Sequence, residues 1–188
     1  MKKIIAVAGN AIAPDDSVNF KLAFDTGRAI IDNGYRLQCG GLNGVMRAAC
    51  MGAKSSPKYT EGDIIGLLPS FDPNTANEYV DIVIPTGLDV FRNVIVASAS
   101  AVIGVGGGAG SLSEMANAWA LQRLVVAYRT AEGWSSKLAD TRLDTRIRYS
   151  DIPEDRVYGA DTAEEALEII NKYIDRYDRY HLGITPNN

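Results

Sequence analysis

The sequence predicts an α/β fold: a doubly wound, mainly parallel sheet with helices on both faces. Short, strongly apolar runs recur along the chain, segments of helical spacing separate them, and three of the strand-to-helix turns are rich in glycine. Strands apolar on both faces belong to a parallel sheet buried beneath helices, because an antiparallel sheet with one wet face would alternate. The 188 residues, 46% hydrophobic and 22% charged, suit one domain over 1–188 with a core of its own.

Residues 3 to 8 form the first apolar, β-rich run. From Ser17 to Asn33, Val18, Phe20, Leu22, Ala23, Ala29, Ile30 and Ile31 recur at helical spacing. Asp15 or Asp16 is the expected cap, and Gly34 suits the left-handed residue beyond the end. A strand over Tyr35–Cys39 leads through Gly40-Gly41-Leu42-Asn43-Gly44 into a helix over Val45–Lys54. Strands follow near Asp63–Leu68 and Val80–Ile84, then a helix over Leu88–Ser98 and a strand over Ala101–Val105. After a glycine loop come a helix over Leu112–Leu121 and a strand over Leu124–Tyr128. Residues 130–158 are polar, with one short helix at Trp134–Ala139. A last helix, Thr162–Tyr177, is expected to be capped by Asp161 with Glu164 three residues on, and residues 181–188 to be a frayed tail.

The composition excludes several classes of function. A formal net charge of −4 argues against a nucleic-acid-binding face, though not against a single phosphate held by backbone amides. The opening apolar run is too short for a signal peptide and breaks at Gly9-Asn10, and no segment is long enough to span a bilayer. A cytoplasmic protein is expected. Cys39 and Cys50 lack metal-ligand spacing and read as structural thiols in a reducing compartment. The one histidine, His181, lies in the expected tail, so no metal site, no Ser-His-Asp triad and no His-based acid–base chemistry is expected.

An open, Rossmann-like sheet binds ligands at the carboxyl ends of its strands. Three turns meet that description: Gly9-Asn10, Gly40 to Gly44 with Gly41 and Asn43 between, and Gly106-Gly107-Gly108-Ala109-Gly110. The third is the strongest signal. A glycine run lets the backbone approach a ligand and aim N–H groups at it, and the following helix adds the positive end of its dipole, so a phosphate is the fitting guest. It is not the dinucleotide fingerprint, which belongs after the first strand, nor a Walker loop, since no Lys-Ser or Lys-Thr follows. Ser111 and Glu114 have the spacing of a capping box, which leaves two readings of Glu114, as helix cap or as chemical group. Arg92 opens the preceding helix with a planar fork suited to phosphate or carboxylate.

Taken together, Gly106–Gly110, Ser111, Glu114, the upstream Arg92 and the run Gly40-Gly41-Leu42-Asn43-Gly44-Val45-Met46-Arg47-Ala48-Ala49 resemble the family labelled "possible lysine decarboxylase" or LOG, from the first strand to about Leu138. In its phosphoribohydrolase branch the matching Arg and Glu are the catalytic pair, which the resemblance places on Arg92 and Glu114. This chain departs from that branch, with Gly106 in place of Pro, Ser111 in place of Thr and Asn93 in place of Lys. It is closer to the branch of molybdenum-cofactor carrier-like proteins, which hold a phosphate-bearing pterin without transforming it.

Two functions are therefore expected. The first is a carrier or nucleotide sensor that binds a phosphorylated small molecule, either molybdenum cofactor or a nucleoside monophosphate, with no cofactor required for catalysis. The alternative is an N-glycosidase releasing free base from a nucleoside 5′-monophosphate. Lysine decarboxylation is not expected, since no lysine is placed to form a Schiff base. Apolar residues on the helices at Leu88–Ser98 and Leu112–Leu121, among them Val94, Ile95, Val96, Met115, Ala118 and Trp119, exceed the needs of one packed face. They point to a homodimer or homotetramer, unless the polar 130–158 segment covers them.

Overall fold

The computed structural model of the chain describes residues 1–177, Arg179 and His181; apart from His181, the expected tail lies outside the described residues. Among these residues seven strands form one sheet: β1 (Ile4–Gly9), β2 (Arg36–Cys39), β3 (Ile64–Leu68), β4 (Ile82–Pro85), β5 (Ala101–Val105), β6 (Leu124–Tyr128) and β7 (Tyr158–Ala160). Their spatial order is β4-β3-β2-β1-β5-β6-β7, and every neighbouring pair is parallel. Among the described residues six helices cover it: α1 (Val18–Asp32), α2 (Val45–Lys54), α3 (Asn93–Ala97), α4 (Ala109–Ala120), α5 (Trp134–Leu138) and α6 (Ala163–Tyr173). A 3₁₀ turn over Asp89–Arg92 leads into α3. The expected doubly wound α/β fold is the one observed.

Alternation along β1 divides the core. Ile5 and Val7 join α1, α2 and α6 in one apolar cluster, while Ala6 and Ala8 join α3 and α4 in the other. The first face carries the larger strand residues, yet α1 and α2 cross closely, because each presents a glycine to the other's backbone. A methyl on Gly27 would fall 1.9 Å from the Ala49 carbonyl oxygen, and one on Gly52 would fall 1.9 Å from that of Phe24.

Several local expectations are corrected. Ser17, not Asp15 or Asp16, caps α1, its hydroxyl accepting the Phe20 N–H at 3.2 Å. Thr162 rather than Asp161 caps α6, and Glu165 rather than Glu164 reaches back, accepting the Asp161 N–H at 2.7 Å. The helix ends at Tyr173, four residues before the expected end at Tyr177. The strand β7 was not expected: three residues inside a polar stretch carry little periodic signal. It forms because its backbone completes the edge beside β6. The polar segment before it is pinned down. Arg148 pairs with Asp155 at 2.6 Å, both side chains buried, and its guanidinium lies 3.6 Å from the centre of the Trp119 ring. Trp119 is therefore covered by this chain's own 130–158 segment. Val96, Met115 and Ala118 are core residues, and of the helical residues expected to offer surface, Val94, Ile95 and Ala116 are exposed.

Because overpacking at a backbone contact cannot be relieved by a rotamer change, Gly52→Ala should destabilise the fold by about 2–3 kcal/mol, the upper part of the usual overpacking range. Urea denaturation of the variant beside the parent checks it; an unchanged midpoint would show that α1 and α2 separate without cost.

Candidate functional site

The strand order reverses about β1, which lies between β2 and β5, so the turns after these strands converge at one end of the sheet. Asn10 ties them together. Its carbonyl accepts the Val45 N–H at 2.9 Å, at the start of α2, and its Oδ1 accepts the Gly107 N–H at 2.7 Å. Asn19 on α1 donates to the same Oδ1 at 3.3 Å, donates to the Glu132 carbonyl at 3.2 Å and accepts the Glu132 N–H at 3.1 Å.

These bonds change the role expected of the glycine loop. Gly106 and Gly107, at φ +66° and +97°, do not present their N–H groups to a ligand. The Gly106 N–H goes to Ser135 Oγ at 2.8 Å, and the carbonyls of Gly106 and Gly107 accept the N–H groups of Ser135 and Trp134, both at 3.0 Å. The first half of the loop is thus joined to α5, and the part left open is the start of α4. That helix begins at Ala109, three residues before the expected Leu112, with Gly108 at its N-cap and no side chain among the described residues capping it. Its first-turn amides are the donors every helix leaves unpaired. A side chain at Gly108 or Gly110 would meet no protein atom within 4 Å.

A cavity of about 420 Å³ opens there, lined by Gly9, Asn10, Ala11, Ile12, Leu42, Met46, Arg92, Asn93, Gly108, Gly110, Ser111 and Glu114. Of the residues singled out from the sequence, Gly9, Asn10, Arg92, Gly108, Gly110, Ser111 and Glu114 meet in it. Gly40, Gly41, Asn43, Gly44, Gly106 and Gly107 do not line it. Gly40 lies behind, and a methyl on it would fall 2.4 Å from Arg92 Nη2, so its bareness seats the guanidinium. Asn43 is exposed. The apolar wall of Ile12, Leu42 and Met46 escaped sequence reasoning, because three apolar residues close to glycine turns look like ordinary packing.

The early start of α4 also decides between the two readings of Glu114. Ser111 is the third helical residue rather than the cap, so Ser111 and Glu114 do not form a capping box. Glu114 Oε1 instead accepts a hydrogen bond from Arg92 Nη1 at 2.7 Å, and both side chains are more than nine-tenths buried. Burial raises the Glu114 carboxyl from 4.5 to about 7, against the opposing pull of Arg92. Arg92 Nε is buried with no hydrogen-bond partner among the described residues. An unsatisfied guanidinium N–H beside a cavity suits an anionic or otherwise acceptor-bearing ligand.

The family model described as "LDcluster4: SLOG cluster4 family" matches residues 2–157. Over 102 residues the chain is 39% identical to an uncharacterized protein of Archaeoglobus fulgidus; the match covers 54% of this chain and 64%, under two thirds, of that protein. The structure resembles that of a molybdenum cofactor binding protein from the phototrophic bacterium Rippkaea orientalis, with a TM-score of 0.75 and 32% identity over 93% of this chain and 98% of that one. It also resembles the molybdenum cofactor carrier protein of Chlamydomonas reinhardtii, with a TM-score of 0.71 and 27% identity over 93% and 99% of the two chains.

Two outcomes follow from this geometry. Asn10→Ala leaves the Gly107 N–H unpaired and should cost about 1–3 kcal/mol, the penalty for an orphaned buried donor, measurable by denaturant titration. The folded chain keeps a proton on Glu114 that the unfolded chain releases near pH 4.5, so this group's contribution to stability is complete below 4.5 and is lost as pH rises through about 7. Glu114→Gln should flatten the fall in Tm across that window; an unaltered pH profile would refute the assignment.

Proposed function

We propose that this chain, which belongs to the SLOG cluster4 family, binds a phosphorylated small molecule with a flat ring and acts as a carrier of molybdenum cofactor. The observation that carries the reading is the uncapped start of α4 opening, with the buried Arg92, on a cavity that has one apolar wall. A helix N-terminus and a guanidinium recognise phosphate; Ile12, Leu42 and Met46 offer a heterocycle a face to lie against. The cavity volume is that of a small-ligand site. The solved structures named above, described as binding or carrying molybdenum cofactor, support the same reading. In this proposal Gly108, Gly110 and Ser111 hold the phosphate and Arg92 neutralises it, while Gly9 and Asn10 border the ring.

A second reading rests on Glu114. It lines the cavity, is not a helix cap and has its carboxyl raised to about 7, where a group can both take and give a proton near neutrality. In that reading the chain is an N-glycosidase on nucleoside 5′-monophosphates, with Arg92 orienting the phosphate-bearing sugar. Incubation with a panel of nucleoside monophosphates, followed by chromatography for free base and mass spectrometry of what the protein retains, separates the two. Base release that is lost in Glu114→Gln would establish the glycosidase. No release, with a phosphorylated pterin retained, is the outcome expected here.

Gly108→Val should abolish ligand retention without unfolding the chain. Gly108 has φ −96° and ψ −151°, an extended conformation other residues adopt, and the added side chain enters open space. Retained affinity in a folded variant would remove α4 from the site.

The same elements suggest self-association. Leu88, Val90, Phe91, Val94 and Ile95 are exposed on and just before α3, and Ile84 on the edge strand β4 is exposed as well. We propose that this surface is the contact of a homo-oligomer, since so large a group of apolar side chains is seldom left in water. Val90→Glu should yield a monomer by light scattering; a parent chain that is already monomeric would refute the contact.

A further inference from the structure

Cys39 ends β2 and Cys50 lies on α2; both are fully buried, and their sulfurs are 3.6 Å apart. They flank the second glycine turn, so the eleven-residue separation between them contains Leu42 and Met46 of the cavity wall and Gly40, which seats Arg92. Cys39 Sγ also accepts the Gly41 N–H at 3.3 Å, and Cys50 Sγ accepts from Asn77 Nδ2 at 3.8 Å. Hydrogen bonds from Cys50 and Gly41, and the nearby Arg92 charge, hold the Cys39 thiol below its ordinary range, while Cys50 is pushed well up. The 3.6 Å approach sets each sulfur within reach of the other, and Cys39, which also accepts the Gly41 N–H, is taken as the attacking thiol with Cys50 as the resolving one.

We propose that Cys39 and Cys50 form a reversible disulfide that reshapes the second glycine turn and the wall of the cavity. The oxidant is a peroxide, which reaches the fully buried pair when this part of the fold opens locally. The Cys39 thiolate attacks one peroxide oxygen; an S–O bond forms, the O–O bond breaks, and the leaving hydroxide takes a proton to become water. The Cys50 sulfur then attacks the sulfenic acid; an S–S bond forms, the S–O bond breaks, and the second oxygen leaves as water with the Cys50 proton. Two thiols and hydrogen peroxide thus give one disulfide and two waters, and a dithiol reductant reverses the change. Closing the sulfurs from 3.6 Å to the roughly 2.0 Å of a disulfide draws α2 towards β2. Met46, one turn before Cys50, moves with it, and Gly40 shifts beneath the guanidinium. The effect on ligand binding rests on the phosphate-site reading above; disulfide formation does not.

The test treats the folded full-length chain with hydrogen peroxide, then denatures it, alkylates free thiols and digests it for mass spectrometry. Hydrogen–deuterium exchange over residues 39–50 and 88–97 is compared before and after oxidation, with Cys50→Ala as the chain that cannot close. A cross-linked Cys39–Cys50 peptide, removed by dithiothreitol, and altered protection in both segments are the expected results. Thiols that stay alkylatable, or a disulfide with unchanged protection, would overturn the proposal. With guanosine 5′-monophosphate as the probe, oxidation should weaken binding about tenfold, a typical coupling between sites. If the reduced chain does not bind this probe, the phosphate reading fails for nucleotides, while cross-link and exchange still decide the switch.

Discussion

The hydrogen bonds of Asn10 hold the carboxyl end of the sheet in one arrangement. The first strand is central, with its neighbours β2 and β5 on either side, and a doubly wound sheet leaves a crevice there only if the turns on both sides are held apart and in register. Asn10 does this from both ends of the residue: its carbonyl takes the first amide of α2, and its side chain takes the second amide of the glycine loop after β5. Each bond stabilises by about 1 kcal/mol in net terms, but an orphaned partner costs more. The arrangement therefore resists loss of any one contact more than its bond energies suggest.

With that end fixed, the loop after β5 divides into two working parts. Its first two glycines are given over to structure, bonded to Asn10 and to the start of α5, and they place Gly108 where α4 can begin without a cap. The unpaired donors of a helix end and the macrodipole behind them are thereby left for a ligand. Arg92 and Glu114 supply the charge. Burying such a pair offers little stability, since desolvation offsets most of the attraction. Glu114 near 7 and Arg92 Nε without a partner among the described residues are consequences of that burial. A desolvation cost of this kind is tolerated where a ligand completes the hydrogen bonding, which links the energetics of the buried pair to the proposed binding of a phosphate.

The small residues of the fold serve the same end. Glycine at the α1–α2 crossing brings α2 in close, and α2 carries Met46 and Cys50. Gly40 makes room for the guanidinium behind the cavity. The thiol pair lies at the base of this stack, so a change of one bond there is positioned to reach the cavity wall through backbone rather than through side chains alone.

Which parts of this were legible depends on how far apart the interacting residues lie in the chain. Apolar runs such as Ala101–Val105 and Leu124–Tyr128 determine their own strands, since period and length are local properties, and the glycine turns mark the strand ends by residue type. Family membership could be read from the spacing of Arg92, the glycine loop and Glu114. The start of α4 could not, because Ala109, Gly110 and Ser111 carry no apolar period, and an extended or a helical path for them differs only in tertiary contacts. Likewise β7 exists because β6 offers it a partner, and Ser17 caps α1 because the chain enters the helix at that angle. Tertiary structure alone decided that Gly106 and Gly107 bond to Ser135 and Asn10 instead of a ligand, that Glu114 pairs with Arg92 instead of capping a helix, and that Cys39 meets Cys50. Hydrogen bonds and desolvation act over a few ångströms in space, and residues 97 or 29 positions apart come within that range only once the sheet has been assembled.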